Sequence, residues 1–212
     1  MPEKRPYVHV ARLYDLLDLP FEYGRYPPIR RTIFQGVSGT VLDAGVGTGR
    51  NMPFYPSGAE MIGIDSSPHM LSRARGRRER LGVSADLQLM DVTDADLPDA
   101  TFDYAVATFL FCVLDDEQQL PALRGLRRVT KPSGEIRILE YAYSSRPLKR
   151  FVMRLWAPWV RWMYGATFDR RTEQYVEAAG LELVEERFLF EDIIKLLVLR
   201  PSQPSRYRGF CR

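Results

Sequence analysis

Cysteine is nearly absent from this chain. Two residues, Cys112 and Cys211, among 212 exclude a disulfide framework and fit a reducing compartment. Histidine is as scarce: His9 and His69 stand far apart, His69 in the first turn of a predicted helix, so no metal site is expected. Neither sign of charge dominates. Lys and Arg number 30 against 27 acids, and a formal charge of +3 is too small an excess to indicate nucleic acid. Long apolar runs are missing too. The most apolar stretch, residues 105–114, is about half the length a membrane-spanning helix needs. The first residues carry Glu3, Asp15 and Asp18 and lack the apolar core of a signal peptide, which predicts a cytoplasmic location.

What is present suits a single domain with a core: 45% hydrophobic and 27% charged residues, with no internal repeat and no low-complexity tract. Residues 1–38 are aromatic and basic, punctuated by Pro20, Pro27 and Pro28. They are too short to bury a core of their own and read as an N-terminal helical cover, with helices over 12–19 and 29–35. Residues 39–212 form the main domain. Apolar runs at 40–43, 61–65, 87–90, 102–107 and 136–140 read as strands, separated by helical patterns at 51–55, 68–81, 116–129 and 147–163. That alternation predicts βαβ units on a parallel sheet, whose strands are apolar throughout because both faces are covered. A helix over 171–179 is closed by Gly180. The runs 181–189 and 193–199 then lie too close together for a crossover and predict an antiparallel hairpin. The fold expected is α/β and Rossmann-like: a mainly parallel seven-stranded sheet, an antiparallel final hairpin, and helices on both faces.

The segment Val41-Leu42-Asp43-Ala44-Gly45-Val46-Gly47-Thr48-Gly49-Arg50-Asn51 runs from a strand through three glycines into a helix. Glycines there let the backbone turn sharply and approach a ligand closely. In doubly wound sheets this crevice beyond the strand's carboxyl end is where ligands bind. Arg50 occupies the third glycine position of a dinucleotide fingerprint, and the Gly-Lys-Ser/Thr of a phosphate loop is lacking. Asp43 beside the loop would repel a pyrophosphate and attract an ammonium. Asp65 ends the second strand, about 20 residues past Gly45, where a carboxylate accepts ribose hydroxyls. Asp91 ends the third, placed for the exocyclic amine of adenine. Amine, ribose and adenine together describe S-adenosylmethionine.

The chain resembles the class I S-adenosylmethionine-dependent methyltransferases over roughly residues 40–140. The resemblance rests on residues 41–51, on Asp65-Ser66-Ser67-Pro68-His69-Met70-Leu71, on Asp91 with Asp99-Ala100-Thr101-Phe102-Asp103, and on Lys131-Pro132-Ser133-Gly134. It implies that Asp43, Gly45, Gly47 and Gly49 hold the methionine end of the cofactor. Asp65 and Ser66 would meet the ribose, Met70 would pack near the adenine, and Asp91 with Val92 would bind the adenine edge. Thr108 and Phe109 would line the reacting methyl, and Tyr14 would close over the cofactor. At the end of the fifth strand, Glu140 and Tyr141 are the candidates for catalysis, helping to deprotonate an amine acceptor.

Residues 144–170 form a basic-aromatic insertion. Within 144–164 lie Trp156, Trp159 and Trp162, the only tryptophans, with Arg146, Lys149, Arg150, Arg154 and Arg161 and no acid. Pro158 predicts a bend between two short helices. Two readings stay open: peripheral contact with anionic membrane, or a lid whose aromatics line an apolar pocket. Both predict a lipophilic acceptor. By overall pattern the chain is similar to bacterial phospholipid N-methyltransferases, which implies phosphatidylethanolamine. The alternatives are a quinone, a thiol or another small molecule, or a cofactor-binding protein without turnover. The arginines 73, 75, 77, 78 and 80 lack an aromatic stacking platform and read as a solvated face, so no nucleic-acid partner is expected.

Overall fold

A computed structural model describes residues 26–202, less the side chains of 162–164. The helix expected over 12–19, and Tyr14 within it, lie outside the described residues. Seven strands form one sheet: β1 (Thr40–Ala44), β2 (Glu60–Asp65), β3 (Asp86–Leu89), β4 (Phe102–Thr108), β5 (Thr130–Tyr141), β6 (Leu181–Phe190) and β7 (Ile194–Pro201). Their order is β3-β2-β1-β4-β5-β7-β6. The first five strands pair in parallel, and β7 runs antiparallel to both of its neighbours. The mainly parallel sheet and its final hairpin are therefore those the sequence predicts. Between and around the strands lie helices α1 (Tyr26–Ile33), α2 (Pro68–Leu81), α3 (Asp116–Val129) and α4 (Pro147–Tyr164).

Local chemistry sets the helix ends. Ser67 caps α2 by accepting the Met70 N–H, Pro68 opens its first turn, and Gly82 at φ 61° closes it. α3 begins where the Gln118 side chain accepts the Asp115 N–H at 3.1 Å. On one face of the sheet, Leu42, Ala105, Ile136, Ile138 and Leu197 pack with Leu123 and Leu126 of α3. On the other, Val41, Val106, Leu139 and Leu196 pack with Tyr26, Ile29 and Ile33 of α1. Consecutive residues such as Val41 and Leu42 thus serve opposite layers, as the strand's period of two requires.

Three elements differ from the sequence reading. β5 starts six residues early, at Thr130, and its register against β4 shifts between Phe102 and Tyr104. The chain comes so close there that a Cβ on Gly134 would stand 2.8 Å from the Asp103 carbonyl oxygen. Residues 171–179 form two 3₁₀ turns, Thr172–Tyr175 and Glu177–Ala179, instead of an α-helix. Thr172 has its hydroxyl committed to Glu140 in the core, so no cap is left to start a longer helix. α4 runs unbroken through Pro158. The ring removes one i→i−4 bond, and the Arg154 carbonyl that loses its partner belongs to an exposed residue.

Two helical glycines make opposite predictions. A Cβ on Gly125 of α3 would stand 2.5 Å from the Val92 carbonyl oxygen, whereas Gly76 of α2 has open space around it. Gly125→Ala should therefore destabilise the fold by about 1–3 kcal/mol. Gly76→Ala should stabilise it by about 0.5–1 kcal/mol. Urea unfolding of both variants checks the signs.

Candidate functional site

Beyond β1 the chain turns through a glycine loop into a 3₁₀ turn, Met52–Phe54, where the sequence predicts a helix over 51–55. Gly45, Gly47 and Gly49 all take positive φ, at 72°, 56° and 80°. Their surroundings differ. A Cβ on Gly45 would come within 2.9 Å of Leu110, and one on Gly49 within 2.8 Å of Met52, while Gly47 has open space beside it. Gly47 donates its N–H to Asp65 Oδ2 at 2.9 Å, and Ser67 donates to Asp65 Oδ1 at 2.9 Å. Burial raises the Asp65 pKa, and these two N–H groups oppose the rise. At the tip of β3, Asp91 Oδ1 accepts the N–H and hydroxyl of Thr93 at 2.9 and 2.7 Å. Asp91 Oδ2 has no hydrogen-bond partner among the described residues.

These groups line a cavity of about 540 Å³ at the carboxyl ends of β1, β2, β3 and β4. Nine of the expected residues are brought together in its wall: Gly45, Gly47, Asp65, Ser66, Met70, Asp91, Val92, Thr108 and Phe109. Phe109 has φ 57°, a strained conformation for an aromatic residue, and its N–H is pinned to the Leu139 carbonyl at 2.7 Å. The Tyr141 ring stacks on Phe109 at 4.5 Å, and Tyr141 Oη lies 2.7 Å from Tyr26 Oη.

Asp43, Gly49 and Glu140 do not reach the cavity wall, and Tyr141 reaches it only through Phe109. Asp43 is fully buried. Both its oxygens accept from Asn51 Nδ2 at 3.0 Å, and Tyr55 Oη donates to Oδ2 at 2.6 Å. Burial pushes its pKa up to about 6, against the pull of these donors and of Arg30. The expectation that Asp43 meets an ammonium is thus corrected: it is fully buried and absent from the cavity wall. Gly49 serves packing against Met52. Glu140 points to the sheet face opposite Tyr141, where it accepts from Thr172 Oγ1 at 2.6 Å and pairs with Lys195 at 3.1 Å. Burial raises its pKa and the Lys195 charge opposes the rise. It supports the fold and lies too deep for catalysis.

Sequence reasoning missed Arg30, Asn51 and Tyr55. Arg30 lines the cavity, donates to Asn51 Oδ1 at 2.8 Å, and lies 5.5 Å from the Phe109 ring centroid. A signal existed: Tyr26, Ile29, Arg30 and Ile33 share the buried stripe of α1, where an arginine needs a partner.

Sheet order, glycine loop and strand-tip carboxylates define a class. Residues 41–134 match the model of a methyltransferase domain. Phosphatidylethanolamine N-methyltransferase of Cereibacter sphaeroides is 36% identical over 127 residues, 57% of this chain and 62% of that protein. The ubiquinone/menaquinone biosynthesis C-methyltransferase of Syntrophotalea carbinolica is 30% identical over 148 residues, 66% of this chain and 61% of that protein. The chain thus spans less than two thirds of either relative. The crystal structure of an S-adenosylmethionine-dependent methyltransferase from Aquifex aeolicus has the same fold, with a TM-score of 0.65 at 20% identity over 93% of this chain and 98% of that one.

The buried carboxylate generates a pH prediction. Asp43 has a folded pKa of about 6 against an ordinary value of 3.8, so between these values the folded state holds the extra proton. Stability from this group is therefore present below about pH 4 and is lost as pH rises through 6, by roughly 3 kcal/mol in all. In urea unfolding from pH 4 to 7, Asp43→Asn should show a shallower decline than the wild type. Parallel curves would contradict this assignment.

Proposed function

We propose that the protein transfers a methyl group from S-adenosylmethionine to a lipophilic acceptor, with the amine of phosphatidylethanolamine as that acceptor. One observation supports the donor most strongly: Asp65 and Asp91 share a single cavity wall with Gly47, whose missing side chain leaves room for a ligand. Two carboxylates, Asp65 and Asp91, suit hydroxyls and an amine, and the arginines Arg30 and Arg50 in the same wall suit a carboxylate. When bound, S-adenosylmethionine supplies an already activated methyl group, so the protein's work is positional.

On this reading the backbone at Gly45 and Gly47 holds the amino-acid end. Asp65 accepts the ribose hydroxyls, with Ser66 beside it. Asp91 Oδ2 accepts the adenine amine, the Val92 backbone completes that edge, and Met70 packs on the ring. Thr108 and Phe109 line the reacting end. Arg30, held by Asn51, offers a cation to the carboxylate at the glycine loop. An acceptor amine must arrive unprotonated. Tyr141, hydrogen-bonded through Oη to Tyr26 Oη, keeps its expected role on this reading: as a tyrosinate it would take that proton from the amine.

The acceptor reading draws on similarity to the phospholipid enzyme and on the basic, aromatic α4. Similarity to the quinone enzyme favours a carbon acceptor as the second reading.

Asp65→Ala should raise the S-adenosylmethionine dissociation constant about tenfold or more, because a charge-assisted hydrogen bond is worth ~1.5–3 kcal/mol. Calorimetric titration reads this directly, and an unchanged constant would remove Asp65 from the site. Incubating the enzyme with labelled donor and a mixed phosphatidylethanolamine and quinone extract should yield labelled N-methylated phospholipid by mass spectrometry. Label in the quinone fraction alone would establish the second reading instead.

A further inference from the structure

α4 carries an apolar face that the rest of the fold does not use. Leu148, Phe151, Val152, Leu155, Trp156 and Trp159 recur at helical spacing and fall on one side of the helix. They are exposed: Leu148 by 77%, Leu155 by 71%, Phe151 by 65% and Trp156 by 57%. Met153, Ala157 and Val160, on a different side, are half-buried, as are Lys149 and Arg150. α4 therefore rests on the protein by one side and presents large apolar groups on another. None of its described residues lines the cavity.

The charge on α4 itself has one sign. Arg146, Lys149, Arg150, Arg154 and Arg161 carry it, and residues 141–168 include no acid. Arg154 and Arg161 are exposed. The helix root is fixed: Asp192 accepts from the Ser144 and Ser145 hydroxyls at 2.7–2.9 Å, Lys149 pairs with Glu191, and Arg150 Nε donates to the Ser144 carbonyl. Both ends of α4 also lead back to the candidate site. The helix leaves the sheet beyond Tyr141, and after Gly165 the chain returns to set Thr167 N–H on the Cys112 carbonyl and Phe168 edge-on to Tyr141.

We infer that α4 is a docking surface for an anionic lipid bilayer, lying in the interface with its apolar side chains among the acyl chains and its arginines at the headgroups. Large exposed aromatic and aliphatic groups together with cations are what such an interface selects. The one-sided charge favours anionic lipid over a second copy of this chain, whose α4 would bring the same positive charge. The inference deepens the proposed lipid acceptor and rests on that reading for its link to catalysis. Docking through α4 would bring the aromatic cluster at Phe109 and Tyr141 close to the lipid phase.

Vesicle sedimentation of the full chain tests docking apart from turnover, because phosphatidylglycerol offers no amine to methylate. Without cofactor, the protein should sediment with phosphatidylglycerol vesicles at low salt and stay in solution with pure phosphatidylcholine. About 0.5 M salt should release much of it. The pair Phe151→Ser with Leu155→Ser, and separately Arg154→Glu with Arg161→Glu, should each weaken binding about tenfold or more. Cofactor titration should be unchanged in both, since these residues lie outside the cavity wall. Wild-type protein left in solution with phosphatidylglycerol would overturn the inference, as would equal binding by the Phe151 and Leu155 variant. Sedimentation velocity showing a dimer that this variant dissociates, with no vesicle binding, would assign the face to a second copy and overturn the inference too.

Discussion

Asn51 spans three partners at once: Nδ2 reaches both oxygens of Asp43 at 3.0 Å and Thr108 Oγ1 at 3.1 Å, while Oδ1 accepts from Arg30. The contact joins the end of β1, the end of β4 and α1 across the glycine loop. A carboxylate buried this completely is costly unless its oxygens are satisfied, so the network has one arrangement and tolerates few others. Gly45 and Gly47 are aimed at the cavity because the loop between Asp43 and Asn51 is tied at both ends. Asp43 thus shapes the cavity wall from below and does not form part of it.

A second buried network does the same on the far side. Glu140 joins Lys195 and Thr172, and Thr172 Oγ1 lies 3.1 Å from Gln119 Oε1. Gln119 Nε2 donates in turn to the Phe111 and Leu114 carbonyls, at 2.8 and 3.2 Å. These carbonyls belong to the segment after β4, whose Leu110, Val113 and Leu114 complete the cavity. Two strand-end carboxylates, Asp43 and Glu140, therefore position loops, and two others, Asp65 and Asp91, face the space those loops enclose. The division follows from access: Asp43 and Glu140 are fully buried and absent from the cavity wall, whereas Asp65 and Asp91 line it.

This division marks how far the sequence could be read. Strand runs, the limits of α2 and α3, and the hairpin were legible because each rests on local pattern: apolar continuity, a Ser67 cap, glycine stops, a linker too short for a crossover. The cavity wall was legible because residues at strand tips converge in a parallel sheet. The roles of Asp43 and Glu140 were not, since they depend on which distant donors fold against them: Tyr55 and Asn51 for one, Lys195 and Thr172 for the other. The length of β5 was hidden by Pro132 and Gly134, which look like a loop but sit in a strand that shifts register. The state of α4 was also out of reach. A basic-aromatic helix reads alike whether it lines a pocket or faces outward, and only its exposed side chains distinguish the two.

The central claim is that the cavity holds an adenosyl compound by its strand-tip carboxylates. Co-crystallisation with S-adenosylhomocysteine tests it most directly. The account predicts the ribose hydroxyls on the Asp65 carboxylate and the adenine amine at Asp91 Oδ2, with Asp43 still enclosed by Asn51 and Tyr55. A ligand bound elsewhere, or one whose ribose contacts neither carboxylate, would contradict it.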